Sequence, residues 1–197
     1  MKNLSLILLL ILNQNILSQN KMKITLNNGE IKTGVYEIKN TWMSFPSKTR
    51  IVSKKGNEKY KIDKIKNVII YTENDSIFMK VISTRKYLNS KIKKELAQVR
   101  FIGENIKLYY VSETITSGGA IGLFITSSGY FEKYVMKKND DIAYNMGYIY
   151  GAGQRGIKKR VRDYFKDCPK LVEKINNNEI PKKETFKIAL YYENHCK

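Results

Sequence analysis

Four acidic residues are the natural starting point for chemistry in this 197-residue chain: Glu73, Asp75, Asp140 and Asp141. Two carboxylates held about 5 to 9 Å apart can run glycoside chemistry, one as acid and one as base or nucleophile. Asp140-Asp141 is also a weak cation signal, because no His or further acid stands in register with it. The glycines Gly118, Gly119 and Gly122 suggest a phosphate-cradling loop, but the spacing is neither G-x-G-x-x-G nor a Walker sequence, and no Lys-Ser/Thr pair follows. The basic residues Lys158, Lys159, Arg160 and Arg162 read as either an anion-contacting face or the solvated side of a helix. No set of residues is assigned a catalytic, metal-binding or cofactor-binding role.

The two cysteines, Cys168 and Cys196, depend on compartment for their meaning. Met1-Lys2-Asn3 is a short positive segment, Leu4 to Leu12 is apolar apart from Ser5, and Ser18 offers a small residue at a cleavage site. That order is a secretory signal peptide over residues 1–19. Its apolar core of about 9 residues is too short to span roughly 30 Å of hydrocarbon, so the chain is expected not to span the membrane after cleavage. Export to the periplasm, cell surface or medium places both thiols in oxidising surroundings, where they are expected to pair. The bond would close a loop of about 28 residues. His195 beside Cys196 suggests a reactive thiol, but neighbours on a helix point about 100° apart and make a poor nucleophile–base pair.

A formal net charge of +18 favours polyanions: nucleic acid, anionic lipid or acidic polysaccharide. Lysine dominates over arginine and is spread from Lys21 to Lys197. A nucleic-acid reader would concentrate its charge and lean on Arg, so no nucleic acid is expected as partner.

The elements that position these residues begin with a hairpin over residues 23–38, turned at Asn28-Gly29, with Gly34 suggesting a bulge. Trp42, Met43 and Phe45 read as a connection packed on the sheet. A second hairpin runs from Ile51 through Lys54-Lys55-Gly56-Asn57 to Tyr60 and Ile62. Val68 to Tyr71 is a continuous apolar run and predicts a strand covered on both faces. Ile77 to Ile82 is the next strand, and residues 84–94 read as a long loop or short helix. Val99 and Phe101 turn at Gly103-Glu104-Asn105 and return through Ile106, Leu108 and Tyr110. The uncharged Gly/Ser segment 114–129 reads as a flexible loop. Tyr130 to Lys137 is predicted to be the last strand, paired with residues 106–111. Asp140-Asp141 is predicted to cap a short helix through Tyr148.

From Gly156 the period changes. Ile157, Val161, Tyr164, Phe165 and Cys168 form one stripe of an amphipathic helix. Pro169 opens a second helix, and a third carries Phe186, Ala189 and Leu190, with Ile188, Tyr192 and Cys196 on a common edge. The expected fold is α+β: an antiparallel β-rich part, sandwich or barrel-like, over 20–137, a connector over 138–154, and two to three helices over 155–197.

Three stretches in order carry a resemblance: Leu26 to Gly34, Ile106 to Tyr110 followed by Tyr130-Phe131, and Tyr164-Phe165-Lys166-Asp167-Cys168-Pro169-Lys170-Leu171. Together they resemble a family of functionally uncharacterised secreted proteins of Bacteroidota, of flavobacterial type, with a β-rich N-terminal part and a C-terminal YFxDCPxL helical motif. The resemblance implies export and that order of elements. It carries no catalytic residues.

The expected function is an exported envelope protein that binds or supports a partner, either an envelope protein or an anionic polymer, without catalysis and without a cofactor. The alternatives are a carboxylate-based hydrolase or transferase on an anionic polymer, and charge-driven binding to nucleic acid or anionic lipid.

Overall fold

Runs of alternating apolar and polar residues become strands, and one long strand serves two modules. The computed structural model describes residues 21–41, 48–53, 58–87, 89–112, 131–147 and 156–196. The expected signal peptide, Trp42 to Phe45, the 54–57 turn, the 114–129 loop and Gly151 to Gly153 lie outside the described residues. The strands are β1 (Lys21–Leu26), β2 (Ile31–Thr41), β3 (Lys48–Ser53), β4 (Lys59–Lys61), β5 (Ile65–Tyr71), β6 (Ser76–Arg85), β7 (Lys93–Ile102), β8 (Ile106–Ser112), β9 (Phe131–Lys137) and β10 (Ile142–Asn145). The helices are α1 (Ile157–Tyr164), α2 (Pro169–Asn176) and α3 (Thr185–His195). The fold is α+β, with an antiparallel β-rich part followed by the helices.

Strand β6 is the pivot. Its first half pairs with β5, from Tyr71↔Ser76 to Asn67↔Lys80. On the same edge its second half pairs in parallel with β10, Ser83 opposite Ile142 and Arg85 opposite Tyr144. Its other edge carries β7. The sequence β6-β7-β8-β9-β10 therefore closes on itself as a five-stranded barrel, and β5-β1-β2-β3-β4 continues from β6 as a second sheet. A bulge between Val99 and Phe101 adds the local twist that closure requires.

Three cores lie in layers. Met22, Ile24, Val68, Ile70, Met79 and Leu96 belong to the core under the β1–β5 sheet. Ile82, Ala97, Tyr109, Val111, Tyr134 and Ala143 fill the barrel. Ile106, Leu108 and Val135, on the outer face of β8 and β9, meet Ile157, Val161, Phe165, Leu171, Ile175 and Ile188 of the helices. Period 2 explains the division, since Leu108 and Tyr109 point to opposite faces of one strand.

Three expectations change and a fourth is narrowed. Residues 142–145 form a strand where a helix through Tyr148 was expected. Ala143 and Asn145 are buried inside the barrel, and pairing with β6 outweighs the capping signal of Asp140-Asp141. The backbone N–H of Asp140 instead donates to the Lys137 carbonyl in the β9–β10 turn, at 3.1 Å. Gly34 stands in regular register opposite Met22 and marks no bulge. A Cβ there would come within 3.1 Å of the Tyr36 ring, so glycine makes room for that side chain. Strand β5 is covered on one face only: Val68 and Ile70 are buried, while Tyr71 is 40% exposed. The stretch 84–94, expected as a long loop or short helix, gives up residues 84–85 to β6 and 93–94 to β7, and between them Ser90 Oγ donates to the Tyr87 carbonyl at 2.9 Å. The Asn28-Gly29 turn is as expected, with Gly29 at φ +89°, a backbone state only glycine adopts freely.

Candidate functional site

The barrel interior contains a polar end. Glu132 shares the inward face of β9 with Tyr134 and Met136, because alternate residues of a strand face the same way. It stands opposite Val111 and is 3% exposed. Its Oε1 meets Lys86 Nζ at 2.5 Å, and its Oε2 accepts a short hydrogen bond from the Tyr134 hydroxyl. Thr84 and Asn145 are also buried at this end. Thr84 donates to the Lys93 carbonyl at 3.3 Å, and Asn145 Oδ1 accepts from Gly147 N–H at 2.9 Å. Burial, then the nearby Glu132 charge and its hydrogen bond, push the Tyr134 hydroxyl well above the ordinary tyrosine range. Glu95 places a second carboxylate near Tyr134. The connections after β6, β8 and β10 all leave from this end.

Each oxygen of Glu132 therefore meets a partner, Oε1 an ammonium and Oε2 a hydroxyl. A buried carboxylate is tolerable only when paired and hydrogen-bonded, and this one is an internal tie. A substrate proton would have to compete with Lys86 and Tyr134 for this carboxylate.

A second cluster locks the helices to the barrel. Lys137 Nζ donates to Asp167 Oδ1 and to the Tyr164 carbonyl, each at 2.6 Å. It also lies 4.7, 5.4 and 5.3 Å from the ring centroids of Tyr164, Phe165 and Tyr192, a cation–π arrangement. The Tyr192 hydroxyl donates to Asp167 Oδ2 at 2.6 Å. The Tyr164 hydroxyl donates to Asp140 Oδ2 at 2.5 Å and accepts from Lys137 N–H at 3.0 Å. Burial raises the Asp167 carboxyl, but the hydrogen bonds from Lys137 and Tyr192 outweigh it and hold the group below its usual range. Burial is the first cause holding Tyr164 and Tyr192 above theirs, followed by their carboxylate partners.

The disulfide Cys168–Cys196 is present, with Cα atoms 5.5 Å apart, within the range such bonds require. It joins the start of α2 to the end of α3. Glu193 on α3 reaches the β7–β8 turn, where its carboxylate accepts from the N–H groups of Glu104, Asn105 and Ile106 at 2.8, 2.9 and 3.2 Å.

The four basic residues expected to make one face do not share it. Arg160 is buried at 8% exposure, where Nε donates to the Asn145 carbonyl at 3.1 Å and a terminal nitrogen to the Gly147 carbonyl at 2.5 Å. The reason is helical spacing: position 160 falls on the stripe of Ile157, Val161 and Tyr164. Lys158 donates to the Asn176 carbonyl at 3.2 Å, and Arg162 lies 3.6 Å from Asp163. Lys159 is exposed.

The four acids of the hydrolase reading do not converge either. Glu73 and Asp75 are in the β5–β6 turn, just before Ser76. Asp140 and Asp141 precede Ile142, which is level with Ser83 of β6. At about 3.3 Å per residue along β6 the two pairs are roughly 20 Å apart, well beyond the reach of a two-carboxylate mechanism. Glu132 escaped the sequence reading, although an acid in register with Tyr134 and Met136 was the available signal.

No family model, curated protein or solved structure matches this chain.

Proposed function

We propose that this is an exported envelope protein acting as a non-enzymatic binding module. The observation that supports it most is how the interior charges are used. Glu132, Arg160, Asp167 and Glu193 each end on partners within the fold. They hold barrel, helices and turn in one arrangement, which suits a rigid platform more than a reacting centre. The disulfide fits an oxidising compartment, and the resemblance to secreted Bacteroidota proteins points the same way.

The hydrolase reading would have to run through Glu95 and Glu132 at the barrel end. That each Glu132 oxygen already meets a partner counts against it.

The test is expression of the full chain in its native cells, with fractionation and chemical crosslinking. The expected result is a leaderless protein in the envelope fraction, in crosslinked adducts. Full-length protein retained in the cytosol would overturn export. Release of new reducing ends from an acidic polysaccharide, abolished by Glu132→Gln, would overturn the non-enzymatic reading.

A further inference from the structure

The sheet β6-β5-β1-β2 buries one face, and the residues between the buried ones form the other. On that open face the register sets Lys21 beside Tyr71, and Lys23 beside Ile69, which in turn lies beside Phe78. Lys80 follows Phe78 on the same face of β6. Tyr71 and Phe78 are each 40% exposed, and Lys21 and Lys80 are exposed. Among the described residues none of these three lysines has an ion-pair partner, unlike Lys32, which is held by Glu30 at 2.7 Å. Strands about 4.8 Å apart, with alternate residues roughly 6.8 Å along each, make this a patch of three strands by three rows.

Such a patch has a definite chemistry. Exposed rings offer flat apolar surfaces for the C–H faces of pyranose rings. Ammonium groups between them supply point charges for carboxylates or sulfates. Arginine is absent from these rows (Ser76-Tyr71-Lys21, Phe78-Ile69-Lys23 and Lys80-Asn67-Thr25), so the bidentate forks that suit phosphate are missing there. We propose that the open face of β6-β5-β1, with Lys21, Lys23 and Lys80 set among Tyr71, Phe78 and Ile69, binds an acidic polysaccharide of the envelope. The proposal rests on the binding-module reading and names its surface and ligand class.

The test uses the full leaderless chain with polygalacturonate as probe, dextran as neutral control and oligo-dT as phosphate control, at physiological salt. The first variant combines Lys21→Gln, Lys23→Gln and Lys80→Gln. The charge-matched comparison combines Lys166→Gln, Lys170→Gln and Lys187→Gln, all exposed on the helical side. Tyr71→Ala and Phe78→Ala are made singly. All but the half-buried Lys23 are exposed, and an unchanged melting temperature checks the fold.

Polygalacturonate affinity is expected to fall on the order of tenfold or more in the first variant and about fivefold in each ring variant. It is expected to move less than about twofold in the comparison. Equal losses in both lysine variants would show a charge effect without a site and overturn the proposal, as would no binding to polygalacturonate. Tighter, ring-dependent binding to oligo-dT would reassign the face to nucleic acid and overturn it too. Co-sedimentation with isolated envelopes separates the two levels. If the wild type and the first variant sediment equally, this face is wrong and the binding-module reading stands. If neither sediments, both fail.

Discussion

Reducing the Cys168–Cys196 bond is expected to loosen one of the three cores and spare the other two. The bond spans 28 residues. In the chain-entropy account a loop of that length contributes about 3.5 kcal/mol. For a domain of this size each kcal/mol moves the melting temperature by about 2 to 4 °C, so reduction lowers it by roughly 7 to 14 °C. The location follows from packing. Both cysteines belong to the core that joins α1, α2 and α3 to the outer face of β8 and β9. Neither belongs to the barrel interior or to the core under the β1–β5 sheet. Hydrogen exchange with mass spectrometry, on oxidised and reduced protein under native conditions, reads the difference segment by segment. Protection is expected to fall over 157–196 while Met22–Leu26 and Val68–Ile70 keep theirs. Equal loss in those β segments would refute the layered account of stability. A melting shift below about 2 °C would refute the entropic magnitude. Two titratable thiols in non-reduced protein from the native compartment would remove the bond itself.

Other consequences follow from the internal ties. Glu132→Gln leaves Lys86 facing a neutral group and is expected to cost about 2 to 3 kcal/mol in urea unfolding; a change under about 0.5 kcal/mol would mean the pair does not support the barrel. Glu193→Ala frees three turn N–H groups and is expected to cost about 1 to 2 kcal/mol, because water can partly replace the carboxylate. A Cβ on Gly103 would come within 2.3 Å of Glu193 Oε2, so Gly103→Ala is expected to destabilise the wild type more than the Glu193→Ala variant; additive effects in the double-mutant cycle would contradict that contact. Asp167 is held below its usual range in the folded state, so its contribution to stability is present above about pH 4 and lost as pH falls through the lower folded value; Tyr192→Phe should shrink that acid-side loss. Tyr60, Tyr134, Tyr164 and Tyr192 are all held above the usual range. Their contribution is present below about pH 10 and falls as the pH rises beyond it, so the last share of the phenolate absorbance should appear together with unfolding; ionisation of every tyrosine ahead of unfolding would contradict the burial of these four.

The local signals in the chain were strong where chemistry is local. Asn28-Gly29 and Gly103-Glu104-Asn105 fixed two hairpins because their conformations are written in the residues themselves. The stripe from Ile157 to Cys168, the Pro169 helix start and the cysteine pair were readable for the same reason. Barrel closure was hidden. It depends on four residues, Ile142–Asn145, finding the far half of β6, and nothing in Asp140-Asp141 announces a distant partner. Strand β5 misled because an apolar run such as Val68 to Tyr71 does not say whether a second layer covers it. Arg160 and Glu132 were readable in principle: one sits at helix spacing from Ile157 and the other at strand spacing from Tyr134. A charge on an apolar period signals an internal tie as readily as a site, and the partners Lys86 and Asn145 are supplied by other elements.

Hydroxyl-radical footprinting of the purified protein with isolated envelopes tests the binding account most directly. Four rings provide the comparison, since Tyr71 and Phe78 are each 40% exposed while Tyr87 and Phe186 are 44% and 46% exposed. The account predicts that envelopes shield Tyr71 and Phe78 from oxidation and leave Tyr87, at the barrel end, and Phe186, on α3, labelled as before. Shielding of Tyr87 or Phe186 with Tyr71 and Phe78 still fully labelled would contradict it.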